Sequence, residues 1–399
     1  MNVFLSLALI LIFALALSKI ALKLNLPALL GYLIAGILLG PCVLNWIDPT
    51  LLSLSSVIRQ FALVIILCRA GLGLDFQTLK KNGIAVILLC FLPATFEIVG
   101  YVISGRILQL NLLECLLLGT VMAAVSPAVV VPRMLKYQQE GYGAKKGICM
   151  MIMAAASVDD VYVITLFSSA LLMVSSGTFE VGSLLSIPVS IVTGLLAGWG
   201  MSILVGQILK HFNFSNVMKL LVILASCFVF VGAESWIQNL LPYSSLLSVI
   251  GMCAFLANQK DEKLQVQIPS LKNSMNSLWQ IGEMFLFVMV AAGVDLAYAS
   301  ANFAPIICCI VIGLLFRMAG TFLAVASSNL NRKEKLFCMI AYCPKATVQA
   351  GIGATALGMG LACGNMILSA AVLSILLTAP LGALAIDLSV KKLLTKEDA

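Results

Sequence analysis

Apolar residues run along this chain in long stretches broken by short polar turns. The stretches fall at 2–20, 27–44, 51–69, 83–105, 112–134, 147–174, 181–209, 217–235, 243–258, 277–297, 303–326, 336–358 and 364–388. Most reach the roughly 20 residues that an α-helix needs to cross a hydrocarbon core. No ten-residue alternation of the outer-membrane barrel kind is present. The pattern predicts an all-α polytopic membrane protein of about 13 transmembrane helices.

Composition agrees. Hydrophobic residues make up 61% of the 399 and charged residues 10%, against about 25% charged in a soluble domain, so lipid must be the solvent for much of the surface. Charge tests the count of stretches. With the N-terminus placed outside, twenty of the 24 Lys and Arg fall in inner segments or at the inner ends of stretches, Arg106 alone falls outside, and Arg59, Arg317 and Lys345 lie deeper within stretches. A miscounted span would invert this positive-inside bias downstream. The net charge of +7 is therefore a topology signal and does not point to nucleic acid. The first stretch has Lys19 and Lys23 after it and no basic residue before it, the reverse of a secretory signal. An odd number of spans puts the C-terminus in the cytoplasm, and the expected location is the cell membrane. No soluble domain is expected after Lys396–Ala399. Residues 1–399 read as one transmembrane transporter domain. The twelve cysteines sit mostly in apolar runs without a Cys-x-x-Cys pair, which reads as small core residues rather than a disulfide or zinc framework.

Thirteen spans divide into a first repeat at 1–174, a linking helix at 181–209 and an inverted second repeat at 217–388. Corresponding spans share an oddity. The fifth reads Ala123-Ala124-Val125-Ser126-Pro127-Ala128 and the twelfth Ala341-Tyr342-Cys343-Pro344-Lys345-Ala346-Thr347. Pro127 and Pro344 each lack the N–H that would close a helical turn and clash with the carbonyl four residues back. Broken helices in matching positions of two halves point to a site at the midplane. Proline kinks without function are the plain alternative.

Charges at depth are the second signal. Asp159 and Asp160 stand side by side in the sixth span, after Ala154, Ala155, Ala156 and Ser157. A charged Asp at a membrane helix centre costs about 2.5–3.5 kcal/mol. Neighbours on a helix project about 100° apart, so the two can meet different partners. Glu97 in the fourth span and Arg317 in the eleventh also lie at depth and need partners. Glu97–Arg317 is the first pairing expected, with Asp159–Arg317 its competitor, and Lys345 is placed to serve the second break. An architectural ion pair is the plain alternative for Glu97 and Arg317. Arg59 can snorkel outward, Glu283 can line an aqueous funnel, Asp295 should be solvated, and His211 reads as a loop residue.

Carboxylates, freed carbonyls and a hydroxyl are hard ligands that suit Na⁺ or Li⁺, with K⁺ a further candidate, better than a soft metal. The ion- or proton-binding set is Asp159, Asp160, Ser126, Val125, Ala124, Ala123 and Ala156. Asp160 is expected to coordinate the cation and Asp159 to assist or carry a proton. A proton and a cation cannot share one carboxylate, so competition there couples their movement. No cofactor is expected beyond the transported ion. An intramembrane aspartyl protease needs its two Asp on facing helices, unlike this adjacent pair. A sodium-coupled organic-solute symporter of similar architecture is the main alternative, and a non-transporting receptor is a third.

The runs Ala124–Pro132, Ser157–Asp160, Pro344–Ala350 and Arg69–Asp75 resemble those of monovalent cation:proton antiporters, above all the NHA-type sodium/proton exchangers. That resemblance implies a homodimer with an elevator-like motion, a cation site at the double Asp beside crossed broken helices, and a paired Glu97 and Arg317. Many relatives carry lysine where Arg317 stands, which leaves the electrogenicity of exchange open.

Overall fold

A computed structural model describes residues 2–74, 76, 83–176, 181–212 and 214–396. Asp75, Lys80, Lys81, the side chain of Ser157 and residues 397–399 lie outside the described residues. The described chain is helical almost throughout, and its helices follow the apolar stretches. They are α1 Val3–Lys23, α2 Ala28–Leu39, α3 Pro49–Ser53, α4 Ser55–Gly73, α5 Gly83–Ser104, α6 Leu112–Met122, α7 Pro127–Gln139, α8 Ile148–Ser176, α9 Val181–His211 and α10 Asn216–Gln238. After these come α11 Ser245–Ala257, α12 Glu262–Gln265, α13 Ile268–Ala292, α14 Leu296–Ala301, α15 Phe303–Ala326, α16 Arg332–Ala341, α17 Thr347–Ile352, α18 Thr355–Gly358 and α19 Gly364–Leu393. Among the described residues ten helical segments are long and apolar enough to cross a membrane, and α2 and α11 are shorter apolar helices. The protein is an integral, multi-pass membrane protein.

The surface has the polarity that lipid demands. On α1 the buried stripe is Ser6, Ile10, Ala14, Ser18 and Ala21, at the four- and three-residue spacing of one helix face. Phe4, Leu5, Ile12 and Leu15 point outward instead. Small residues inside and large apolar ones outside is the membrane pattern, because close packing, not escape from water, joins helices there.

The chain forms two packing units. The first takes Met1–Gln60, Lys81–Val163 and Glu283–Ala399; the second takes Phe61–Lys80 and Ile164–Gly282. In the first unit the most extensive pairing is α5 with α15. Gly320 makes it possible: a Cβ there would stand 2.8 Å from the Leu92 carbonyl oxygen and 2.9 Å from Phe96 Cβ. In the second unit α9 packs along α11.

Two details depart from the pattern of apolar stretches. The helix expected at 277–297 begins at Ile268 and ends at Ala292. Its first half is amphipathic: Ile268, Leu271, Met275 and Trp279 are buried while Asn273, Asn276 and Ser277 are exposed, so mean apolarity marks only the second half. Asp295 consequently falls outside that helix, exposed, and caps α14 by accepting from the Tyr298 N–H at 3.0 Å. His211 ends α9 rather than lying in a loop, where its ring meets Phe212 edge-on.

Candidate functional site: two helix breaks and a buried charge cluster

The site lies wholly within the first unit. Helix α6 stops at Met122, residues 123–126 leave the helix, and Pro127 opens α7 at its first turn, where a missing N–H costs nothing. Likewise α16 stops at Ala341 and α17 begins at Thr347, with Pro344 and Lys345 between. Each break strands backbone groups in a buried interior, and an unsatisfied buried carbonyl or N–H costs about 1–3 kcal/mol.

The two breaks satisfy one another. The Ser126 N–H donates to the Pro344 carbonyl at 2.9 Å. The Gln349 side-chain amide donates to the carbonyls of Met122 at 3.3 Å and Ala124 at 2.8 Å, while its own oxygen accepts from the Ala346 N–H at 2.9 Å. Lys345 Nζ donates to the Ala124 carbonyl at 3.2 Å, and the Lys345 N–H donates to Thr378 Oγ1 at 2.9 Å. The carbonyls of Ala123 and Ala124, expected from sequence to be open ligands, therefore already accept side-chain donors.

Arg317 on α15 organises the charges. Its Nη1 donates to Glu97 Oε2 on α5 at 2.8 Å and also to the Ala123 carbonyl; its Nη2 reaches Asp159 Oδ2 on α8 at 3.1 Å; its Nε donates to the Tyr342 carbonyl. Glu97–Arg317 and Asp159–Arg317, posed as competitors by the sequence, coexist because one guanidinium presents five donors in a fork. Lys345 Nζ meets the same Glu97 Oε2 at 2.5 Å. Asp159 Oδ2 also accepts from the Val125 N–H at 2.8 Å. Glu97, Asp159 and Arg317 are completely buried, and Lys345 is 1% exposed.

Asp160 stands apart from this network. It is 3% exposed, its side chain forms no ion pair or hydrogen bond among the described residues, and its Oδ1 lacks a partner. The buried Ser126 hydroxyl is also without a partner among the described residues. Ala156 is fully buried one helical turn before Asp160, inside α8. Arg59 is outside the cluster and donates to Ser55 Oγ at 3.0 Å. Glu283 lines a separate polar cavity of about 410 Å³ that also includes Pro27, Ala128, Arg133 and Asp387. Arg133 and Asp387 form an ion pair there at 3.3 Å, and Ala128 is the second residue of α7.

Gln349, Tyr342 and Thr378 are the residues of this site that sequence reasoning did not single out. Gln349 was visible as an amide in an apolar run beside Lys345; Thr378 and the Tyr342 carbonyl carried no signal.

Comparison with known proteins places this arrangement. A family model described as "Sodium/hydrogen exchanger, transmembrane" matches residues 7–392. Sodium/hydrogen exchanger 9B2 of Homo sapiens is 36% identical over 393 residues, covering 93% of this chain and 70% of that protein. The 9B2 exchanger of Xenopus tropicalis is 35% identical over 394 residues, with 93% and 70% covered. Among solved structures, the sodium proton antiporter MjNhaP1 from Methanocaldococcus jannaschii superposes with a TM-score of 0.84 over 97% of each chain at 19% identity, so the fold is shared. With a match that runs nearly end to end and takes in both helix breaks and every charge of the cluster, the chain belongs to the sodium/hydrogen exchanger family.

Proposed function

We propose that this protein exchanges Na⁺ or Li⁺, with K⁺ a further candidate, for protons across a cell membrane, and that Asp160 is the carboxylate for which the two compete. One observation carries the reading: the buried cluster is balanced except for Asp160. Glu97 and Asp159 supply two negative charges, Arg317 and Lys345 supply two positive ones, and each of the four has an ionic partner. Asp160, buried next to Asp159, has none among the described residues.

The consequence is a charge rule for movement. With Asp160 ionised and empty, the cluster carries one uncompensated negative charge. A proton or a monovalent cation each cancels it. Carrying one bare charge through the bilayer centre costs about 2.5–3.5 kcal/mol, so the empty site reorients roughly a hundredfold less often than the loaded one. Alternating access that is permitted only when loaded is exchange. One carboxylate accepts one proton or one cation, so the stoichiometry is one for one and the cycle moves no net charge. Asp159, expected from sequence to help bind or carry a proton, is instead assigned to hold the break: it joins Arg317 to the Val125 N–H. Ser126 is a hydroxyl of the first break with ligating capacity left over. The same reading takes the N-terminus as external, the C-terminus as cytoplasmic and the working form as a homodimer.

The test uses purified protein in vesicles loaded with a pH-sensitive dye. After an imposed proton gradient, external Na⁺, Li⁺ or K⁺ should move protons in the wild type and not in Asp160→Asn, which keeps the side chain's shape and removes its charge. A membrane-potential clamp should leave the wild-type rate unchanged. A response retained in Asp160→Asn sinks the assignment of the residue. No response to any cation from folded wild-type protein sinks exchange itself and favours the symporter.

A further inference from the structure

Within the second unit, three cysteines far apart in sequence meet. Cys68 on α4, Cys227 on α10 and Cys253 on α11 have sulfur atoms all within 4.8 Å of one another, and Cys68 Sγ and Cys227 Sγ lie 3.3 Å apart. All three are fully buried. The approach is built into the backbone: a Cβ on Gly71, one turn beyond Cys68, would stand 2.7 Å from Cys253 Cβ and 2.6 Å from the Ile250 carbonyl oxygen. A glycine at that point lets α11 press its cysteine against the face of α4 that carries Cys68.

We propose that Cys68, Cys227 and Cys253 form a binding site for a soft monovalent d¹⁰ cation, Cu⁺ or Ag⁺, separate from the carboxylate site. Thiol sulfur is the ligand such ions select. Three sulfurs about 2.3 Å from a central metal are about 4 Å from one another in a trigonal arrangement, inside the range of separations found here. Structural zinc takes four ligands, and among the described residues no further His, Cys, Asp or Glu joins the three. Cu⁺ and Ag⁺ accept two or three sulfurs without a fourth. Each thiol that becomes a thiolate releases a proton to solvent. The cation with two thiolates and one thiol carries a single negative charge, the least that still supplies two anionic sulfurs in an apolar interior.

The experiment titrates reduced, detergent-purified full-length protein with Cu⁺ delivered from a chromophoric chelator, and records the copper-edge X-ray absorption of the product. One Cu⁺ per chain should transfer, with a shell of three sulfurs and no nitrogen or oxygen. Cys227→Ala and Cys253→Ala should each weaken retention at least tenfold, while Cys42→Ala and Cys308→Ala, both at exposed cysteines, should not. Transfer to Cys227→Ala equal to wild type, or a shell containing nitrogen or oxygen, overturns the site. Retention of Zn²⁺ in preference to Cu⁺ overturns the class of ion. Should the alanine variants fail to fold, the wild-type sulfur count and the Zn²⁺ competition still decide.

Discussion

Removing Arg317 should expose how the cluster is balanced, and the cleanest form of the experiment is a double-mutant cycle with Asp159. In Arg317→Met, Glu97 keeps Lys345, but Asp159 is left with only the Val125 N–H. Stripping one partner from a buried ion pair costs about 3–5 kcal/mol. At roughly 2 °C per kcal/mol, the low end for larger domains, the midpoint of thermal denaturation should fall by about 6–10 °C. Asp159→Asn alone should also destabilise, because Arg317 and Lys345 then face Glu97 as the only paired anion. In the Arg317→Met background the same Asp159→Asn change should raise the midpoint, since it removes the stranded charge. The coupling between the two sites should therefore reach about 3 kcal/mol. The assay is the fraction of monodisperse protein left after heating in detergent, read by size-exclusion chromatography. If the two single shifts simply add in the double variant, as distant sites do within about 0.5 kcal/mol, Arg317 and Asp159 are not energetically linked and the charge accounting fails.

Two further outcomes follow from the same geometry. Because proton and cation compete at one carboxylate, the KM for Na⁺ should rise about tenfold per unit fall of pH on the same face in the acid limb, the linkage slope of one proton; a slope of two, measured by dye-loaded vesicles at fixed opposite pH, would require a second exchanging carboxylate. Gly320→Ala should force α5 away from α15 beside Glu97 and Arg317, costing about 1–3 kcal/mol by overpacking and slowing exchange, whereas Gly200→Ala, with nothing within 4 Å of its new Cβ, should be neutral or stabilising in the same heating assay.

Much of this site was legible in the sequence because a membrane interior makes polar residues conspicuous. Pro127, Pro344, the Asp159–Asp160 pair, Glu97, Arg317 and Lys345 each stand in an apolar run, where each is costly unless compensated. What the chain did not reveal was how many partners one donor serves. Arg317 reads as a single positive charge, yet its fork holds two carboxylates and two carbonyls at once. Nor did the breaks reveal that their carbonyls were already occupied, since the donors Gln349 and Lys345 lie more than 200 residues away. The early start of α13 was hidden for the opposite reason, its first half being too polar for a hydropathy pattern. The cysteine trio was hidden by distance, as Cys68 and Cys227 are 159 residues apart.

The bracing of one break by the other has a consequence for how this region can drift in evolution. Ser126 and Gln349 bond to main-chain groups at the two breaks, and Lys345 adds one bond to the Ala124 carbonyl. Every amino acid carries a main-chain carbonyl, so Met122, Ala123 and Ala124 can change identity without disturbing those bonds. A contact of this kind exerts no pressure for paired substitution. Correlated-mutation methods should therefore be blind to this junction between the breaks, and Gln349 should instead behave as a solitary invariant whose partners look unconstrained.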